Sequence, residues 1–240
     1  NNFDDLWRFD VSTYQWTWEG GSNLPNRAAN HGTKGVPSTE NTPGGRVGHT
    51  MWADNDGNLW LYGGSRPLAD DFATSMIIGN DLWKYNPTTK TWTWMHGSNQ
   101  TVQSANKAIY GMLGVPTSQN TPGGRYFGTG FKDKFGDLWL FSGNEGNDLW
   151  KYDVHANVWS WIKGNNTPKT AGSYGQKGVE YPLNLPDSRT RTTGFTDANG
   201  DFWIFGGKHY NDDDDDFYLN DLWKYNFTTN RWVWMSGTQS

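Results

Sequence analysis

The chain has 240 residues, a formal net charge of −5 at pH 7, a sequence pI near 5.5 and no cysteine. An acidic chain without a basic stripe is not expected to bind nucleic acid, and the lack of cysteine excludes disulfides, thiolate metal ligands and thiol nucleophiles. No apolar run reaches the roughly 18 residues that a membrane span needs. Sixteen Trp, 11 Tyr, 12 Phe and 30 Gly, without long helical runs, predict an all-β protein with an aromatic core.

The first predicted element is a hairpin over residues 4–19, "DDLWRFDVSTYQWTWE", and the same phrase returns at 80–95, 147–162 and 220–235. The intervals between its copies are 76, 67 and 73 residues. In every copy the first Trp of a Trp-x-Trp ending lies nine positions after the Trp of the Leu-Trp pair. A fixed spacing of this kind identifies an internal repeat.

A second predicted hairpin precedes each of the last three copies. It begins at Arg46, Arg125 or Arg189, contains a D-x-x-G turn, and places a Trp fourteen residues after the Arg. Glycine supplies the positive φ that such hairpin turns require. One complete repeat is therefore two hairpins, or four antiparallel strands.

Four-stranded sheets repeated along a chain are typical of the blades of a β-propeller. The sequence predicts three complete blades, at 46–95, 125–162 and 189–235, and a half-blade at 4–19. We expect the 240 residues to belong to a longer propeller of six or seven blades. The alternative is that another chain supplies the strands that complete the half-blade.

The order of these motifs resembles the kelch repeat. An Arg is followed by a strand, an aliphatic-aromatic strand that ends in Gly-Gly, the phrase "NDLWKYN" and a Trp strand. The Trp-x-Trp endings are similar to those of bacterial and other extracellular kelch proteins. The resemblance implies the fold of the galactose-oxidase central domain, but the copper site of that enzyme needs a cysteine that this chain lacks.

Long segments with a shared pattern connect the blades, for example "HGTKGVPSTENTPGGR" and "YGMLGVPTSQNTPGGR". A patterned connection is expected to be ordered. Two interpretations stay open: the segments brace neighbouring blades, or they build one face for binding.

The connections between Gly-Gly and Asn-Asp vary instead, and variable segments on a rigid scaffold are where specificity usually lies. These connections supply the candidate ligand contacts Asp70, Asp71, Phe72, Lys208, His209, Tyr210, Phe217 and Tyr218. The run Asp212, Asp213, Asp214, Asp215 and Asp216 is either a solvated acidic loop or a site for Ca²⁺ as a cofactor. Residues fixed within the repeat are assigned to the core, including every Trp of the repeated phrase. Among them are Arg46, Arg125, Arg189, Trp83, Trp92, Trp150, Trp159, Trp223 and Trp232.

The five His show no ligand spacing, and no catalytic motif is readable. Candidate N-glycosylation sites lie at Asn99, Asn165 and Asn226. We therefore expect a non-catalytic binding or scaffold module of a secreted or cell-surface protein, with a protein or glycan ligand. A building block of an extracellular assembly and a carbohydrate-active enzyme are the alternatives.

Overall fold

The structure is a computed structural model that describes residues 1–68, 76–101, 106–144, 146–210 and 216–239. These ranges contain sixteen β-strands and no α-helix, so none of their segments could cross a bilayer as a helix. The predicted all-β fold class of four-stranded antiparallel sheets is confirmed. The chain divides into two compact units.

The first unit, Asn1–Ala108 with Gly123–Tyr126, holds a half-blade, a blade and a small extra hairpin. The half-blade pairs β1 (Leu6–Asp10) with β2 (Gln15–Gly20). Blade 1 has the order β3 (Thr50–Ala53), β4 (Leu59–Tyr62), β7 (Leu82–Asn86), β8 (Thr91–His96). Between β4 and β7 the hairpin pairs β5 (Ser65–Pro67) with β6 (Met76–Ile78).

The second unit, Ile109–Pro122 with Phe127–Ser240, holds two blades. Blade 2 consists of β9 (Thr129–Lys132), β10 (Leu138–Phe141), β11 (Leu149–Asp153) and β12 (Val158–Lys163). Blade 3 consists of β13 (Thr193–Thr196), β14 (Phe202–Tyr210), β15 (Asp216–Asn226) and β16 (Arg231–Ser236). The two sheets pack through aromatic side chains. Phe131 of blade 2 stacks on Phe202 of blade 3, with 4.3 Å between their ring centroids.

Two recurring turns explain why the sequence forms these hairpins. At each D-x-x-G turn the Asp accepts backbone N–H groups two and four residues on, as Asp133 does from Phe135 and Asp137. Its second oxygen accepts the indole N–H of the following strand's Trp, at 2.9 Å from Trp139. Gly136 supplies the positive φ, 93°, that was predicted for this position.

The long connecting segments brace the blades, which favours the first of the two interpretations. Asn120 of one connection is buried, and its amide donates to the carbonyls of Val115 and Trp159 at 2.8 and 3.1 Å. Asn41 and Asn184 make the equivalent bonds before blades 1 and 3. Each connection therefore lies along the outermost strand of the blade that follows it, and this covers a sheet edge that would otherwise be open.

In each complete blade a buried aspartate directly precedes the Leu-Trp pair of the third strand. In blade 3, Asp221 accepts two bonds of 2.8 Å from the Arg189 guanidinium and one of 2.7 Å from the Trp223 indole. The phenol of Tyr174, from the preceding connection, donates to the same carboxylate at 2.8 Å. Burial alone would raise the pKa of Asp221, but the bonds from Arg189 outweigh it and the pKa is lowered.

In blade 1 a histidine takes the place of this tyrosine. His31 lies 3.3 Å from Asp81, which also pairs with Arg46 at 3.0 Å. Burial opposes the ionised form of Asp81, but Arg46 and the bond with His31 lower its pKa overall. In blade 2 the Asp148 carboxylate accepts from Tyr110 and from the Trp150 indole.

The repeat tryptophans follow the expected burial in the complete blades but not in the half-blade. Trp83, Trp150, Trp159, Trp223 and Trp232 are fully buried, and Trp92 is half-buried. In the half-blade, Trp7, Trp16 and Trp18 are 50%, 65% and 54% exposed. The assignment of every repeat Trp to the core was therefore wrong for these three. Their own sheet lacks the two strands that accompany the phrase in each complete blade.

This contrast predicts unequal costs for one substitution at equivalent positions. Trp232→Ala removes a fully buried side chain and should lower the free energy of unfolding by about 3–5 kcal/mol. Trp16→Ala, at the same repeat position, should cost less than about 1 kcal/mol because the ring is exposed. Urea unfolding followed by circular dichroism measures both values. Equal losses would contradict the burial difference.

His49 predicts a pH dependence of stability. Burial and the nearby Arg46 cation lower its pKa from 6.5 to about 4, so folding favours the neutral ring. Because the folded pKa is the lower one, His49 stabilises the protein fully above pH 6.5 and loses this contribution as the pH falls toward 4. We expect about 2 kcal/mol of this loss between pH 7.5 and 5. His49→Gln should remove that part of the acid sensitivity in denaturant titrations, and the exposed control His155→Gln should retain it.

Candidate functional site

The connection between Gly-Gly and Asn-Asp in blade 3 is an extended β-hairpin, called the arm here and formed by residues 207–210 and 216–219. A loop was expected, but β14 and β15 continue their pairing beyond a bulge between Phe205 and Gly207. The Tyr and Phe residues of "KHY" and "FYL" favour strands and suit this extended ladder. Several predicted contact residues therefore lie on paired strands.

The arm is held against the chain that enters blade 3. Thr190 and Lys208 exchange two backbone hydrogen bonds of 2.8 Å each. The half-buried His209 ring lies with its Nδ1 2.5 Å from the carbonyl oxygen of Ser188. These contacts fix the base of the arm and give its side chains defined positions.

The pairing places the predicted residues on two faces of the arm. Lys208 lies opposite Tyr218, and His209 lies opposite Phe217. Because side chains alternate along a strand, the first pair and the second pair point to opposite sides. Tyr218 is 81% exposed and Phe217 46%, so both rings are available to a ligand. His209 instead supports the arm.

The face with Lys208 and Tyr218 borders a cleft of about 280 Å³, called the arm cleft here. Arg191 and Phe205 also line it, with Thr193, the two glycines of the doublet and Leu219. The Arg191 guanidinium lies 3.7 Å from the ring centroid of Phe127, a cation–π contact that holds it beside the cleft. The cleft thus joins two cationic side chains with exposed aromatic rings.

Sequence reasoning missed Arg191 and Phe205. Arg191 occupies a position with positive φ in every complete blade, where Gly48, Phe127 and Arg191 have φ values of 71°, 55° and 58°. The sequence did contain a signal for Arg191, because it is a charged residue at a position where the other blades have Gly or Phe. Phe205 matches Tyr62 and Phe141 of the other blades, both buried, whereas Phe205 is 53% exposed. Only the structure distinguishes it from its counterparts.

Other predicted contacts fall outside what the structure describes. Asp70, Asp71, Phe72 and Asp212 to Asp215 lie outside the described residues, and only the backbone is described for Tyr210 and Asp216. Within the described ranges no group of three or more His, Cys, Asp or Glu side chains could hold a metal ion. A calcium site at Asp212 to Asp216 therefore stays a prediction.

The three predicted glycosylation sites differ in their surroundings. Asn99 is exposed, and Asn165 is half-buried. Asn226 uses its amide to donate to Glu180 at 2.7 Å, and its carbonyl oxygen accepts from Thr228 and Thr229. A glycan on Asn226 would have to displace the bond to Glu180.

Comparisons with known proteins identify relatives of this repeat. No family model matches the chain. Kelch domain-containing protein 10 of Rattus norvegicus is 23% identical over 230 residues, covering 79% of this chain and 52% of the relative. The Mus musculus protein of the same name is also 23% identical, with 48% of its length covered. Kelch domain-containing protein 3 of Bos taurus is 27% identical over 95% of this chain and 46% of its own length.

The chain spans about half the length of the curated relatives it matches. The matches cover most of this chain, and the structure has the antiparallel four-stranded sheets that the repeat predicts. The chain is therefore similar to kelch domain-containing proteins, and its four-stranded antiparallel sheets are consistent with the blades of a kelch β-propeller.

Proposed function

We propose that the chain is a non-catalytic binding and scaffold module that recognises a protein segment through the arm cleft of blade 3. Its kelch similarity supports a protein-binding module. The observation that carries the finer proposal is the placement of Arg191, Lys208 and Tyr218 around one cleft on a braced hairpin. A secreted or cell-surface setting, inferred from the Trp-x-Trp form of the repeat, is part of the proposal.

The charges of the cleft define the ligand. Arg191 and Lys208 favour a carboxylate-bearing segment, and the exposed ring of Tyr218 can pack against an apolar or aromatic side chain beside it. Because the arm is paired and braced before binding, little conformational entropy is lost when a ligand docks. A short acidic peptide with one aromatic residue fits these requirements.

A glycan ligand is the second candidate, and the 81% exposed Tyr218 favours it because a sugar ring can stack on an exposed phenol. The two candidates differ in their dependence on charge. A neutral glycan would require Tyr218 and be insensitive to Arg191 and Lys208, whereas an acidic peptide requires the cations.

Selection from a phage-displayed peptide library tests the proposal. Peptides enriched on the wild-type chain should carry Asp or Glu beside an aromatic residue. Lys208→Glu should weaken their binding by a factor of about 30 or more, because a central interface residue typically contributes about 2 kcal/mol. Binding is measured by fluorescence anisotropy at two salt concentrations, and the wild-type affinity should fall at the higher one.

Matched variants separate the outcomes. Lys107→Glu makes the same charge change at an exposed lysine of the first unit and should leave the affinity unchanged. Tyr218→Ala should weaken peptide binding as well. Equal effects of the two lysine variants, or enrichment of peptides without acidic residues, would refute the proposed site. Binding to a neutral glycan on an array that only Tyr218→Ala abolishes would replace the peptide with a sugar.

A further inference from the structure

Another cleft, called the turn cleft here, lies between blades 2 and 3 and is lined by residues 133–135, 199–200 and 227–228. Its walls are three hairpin turns: the β9–β10 turn of blade 2, and the β13–β14 and β15–β16 turns of blade 3. At this end of blade 3, Phe202 of β14 pairs with Tyr225 of β15, and the arm lies at the other end of the same two strands. The turn cleft is therefore separate from the arm cleft.

Phe227 forms an apolar wall of the turn cleft, and its position is fixed by the core. Its ring packs edge-on against Phe202 and Trp139, with 4.3 and 4.7 Å between ring centroids. The residues at its position in blades 1 and 2 are Pro87 and Val154, so the ring is particular to blade 3. Because the core holds Phe227 in place, this wall loses little conformational entropy when a ligand contacts it.

Phe135 is an exposed aromatic residue of the β9–β10 turn, and 70% of its surface is accessible to solvent. The D-x-x-G turn requires its Asp and its Gly, and the residues at the position of Phe135 in blades 1 and 3 are Asp56 and Asn199. A large apolar side chain beside a cleft, at a position that is polar in the other turns, indicates a contact surface.

The polar groups of the turn cleft favour an anion. Lys134 is exposed, and its ammonium lies 5.2 Å from the ring centroid of Phe135. On the blade 3 side, the exposed Asn199 and Thr228 carry an amide and a hydroxyl that can donate hydrogen bonds. The Asp133 carboxylate is buried and already accepts two backbone N–H groups and an indole N–H. The cleft thus offers a ligand one cation and two neutral donors.

The volume of the turn cleft is about 190 Å³. An apolar cavity of about 150 Å³ holds one benzene ring, so the cleft has room for one ring with a short substituent. We propose that the turn cleft binds a small aromatic carboxylic acid in which one or two carbons separate the ring from the carboxylate. The ring packs between Phe135 and Phe227, and the carboxylate pairs with Lys134.

The distance between the cation and the apolar walls favours a free acid over a peptide. The ammonium of Lys134 is as close to the Phe135 ring as a second aromatic ring would be, since packed rings have centroids about 4.5–7 Å apart. The ring and the carboxylate of the ligand must therefore be close together. In a peptide these groups belong to two flexible side chains, and ordering both costs more conformational entropy.

The probe is 3-phenylpropionate, titrated into the full 240-residue chain labelled with ¹⁵N. We expect saturable binding with a Kd of about 1 mM, which is reasonable for so small a ligand. The largest amide shifts should fall on Phe135, Gly200 and Thr228. Lys134→Gln should weaken binding about tenfold, because it removes the charged hydrogen-bond partner of the carboxylate. Lys107→Gln, the same change at an exposed lysine of the first unit, should leave the Kd unchanged.

Two changes test the ring contact and the sign of the charge. Phe135→Leu keeps an apolar side chain but removes the ring, and should weaken binding about threefold or more. Asn199→Asp brings a carboxylate to the cleft and should weaken binding about threefold or more by repulsion. The turn can accommodate this change, because blade 1 has Asp56 at the same position before its glycine. Asp56→Asn is the matched control and should have no effect.

Ligand analogues and an arm-cleft variant decide between the occupants. The neutral 3-phenylpropanamide and the non-aromatic 3-cyclohexylpropionate should each bind more weakly than the probe. Equal binding of either analogue, shifts that do not saturate, or equal effects of Lys134→Gln and Lys107→Gln would overturn the proposal. So would a loss of probe binding caused by Lys208→Glu and not by Lys134→Gln, because the acid would then occupy the arm cleft. A Phe-Asp peptide that binds the turn cleft more tightly than the probe would make a protein segment the occupant and would also overturn it.

Discussion

Each blade depends on the hydrogen bonds made to the buried aspartate that directly precedes the Leu-Trp pair of its third strand. Burying an unpaired carboxylate would cost free energy. In each complete blade the carboxylate instead accepts a hydrogen bond from the indole of the Trp two residues later, and it is also bonded by a side chain of the preceding connection. In blades 1 and 3 the Arg that precedes the first strand completes the set. Three separate stretches of chain thus meet at one charge, and the blade cannot form with its strands out of register.

The same charge explains which repeat positions tolerate variation. His31 replaces the tyrosine found at Tyr110 and Tyr174, since either ring can bond to the aspartate. Both kinds of ring also pack on the neighbouring Trp, with centroids 4.9 Å apart for His31 and Trp83 and 5.1 Å for Tyr110 and Trp150. The repeat therefore keeps an aromatic ring of this size and one polar atom that bonds to the aspartate, whether the residue is His or Tyr.

The fold could be predicted from the sequence because the repeat supplies several independent copies of each signal. The Trp spacing, the D-x-x-G turns and the repeated Arg each indicate a local structure, and their agreement removes alternatives. The site was less predictable for the opposite reason. Arg191 and Phe205 contribute through positions where one blade departs from the others, and residues 207–210 and 216–219 form paired strands in a connection that was expected to be a loop. The exposure of Trp7 and Trp16 depends on neighbouring strands, which no local pattern encodes.

The connecting segments have a consequence for how such a chain can be lengthened or shortened. Each one pins itself to the blade that follows it, through an asparagine 39 to 51 residues before its partner on the outer strand. The chain that enters a blade therefore also seals the far edge of that blade. A blade and the segment that precedes it form a module in which that segment covers the outer strand. The contacts within the module have moderate sequence separation, which favours folding of the module as a unit. Duplication or deletion of one module would leave no new outer edge exposed, which suits a protein that grows by repetition.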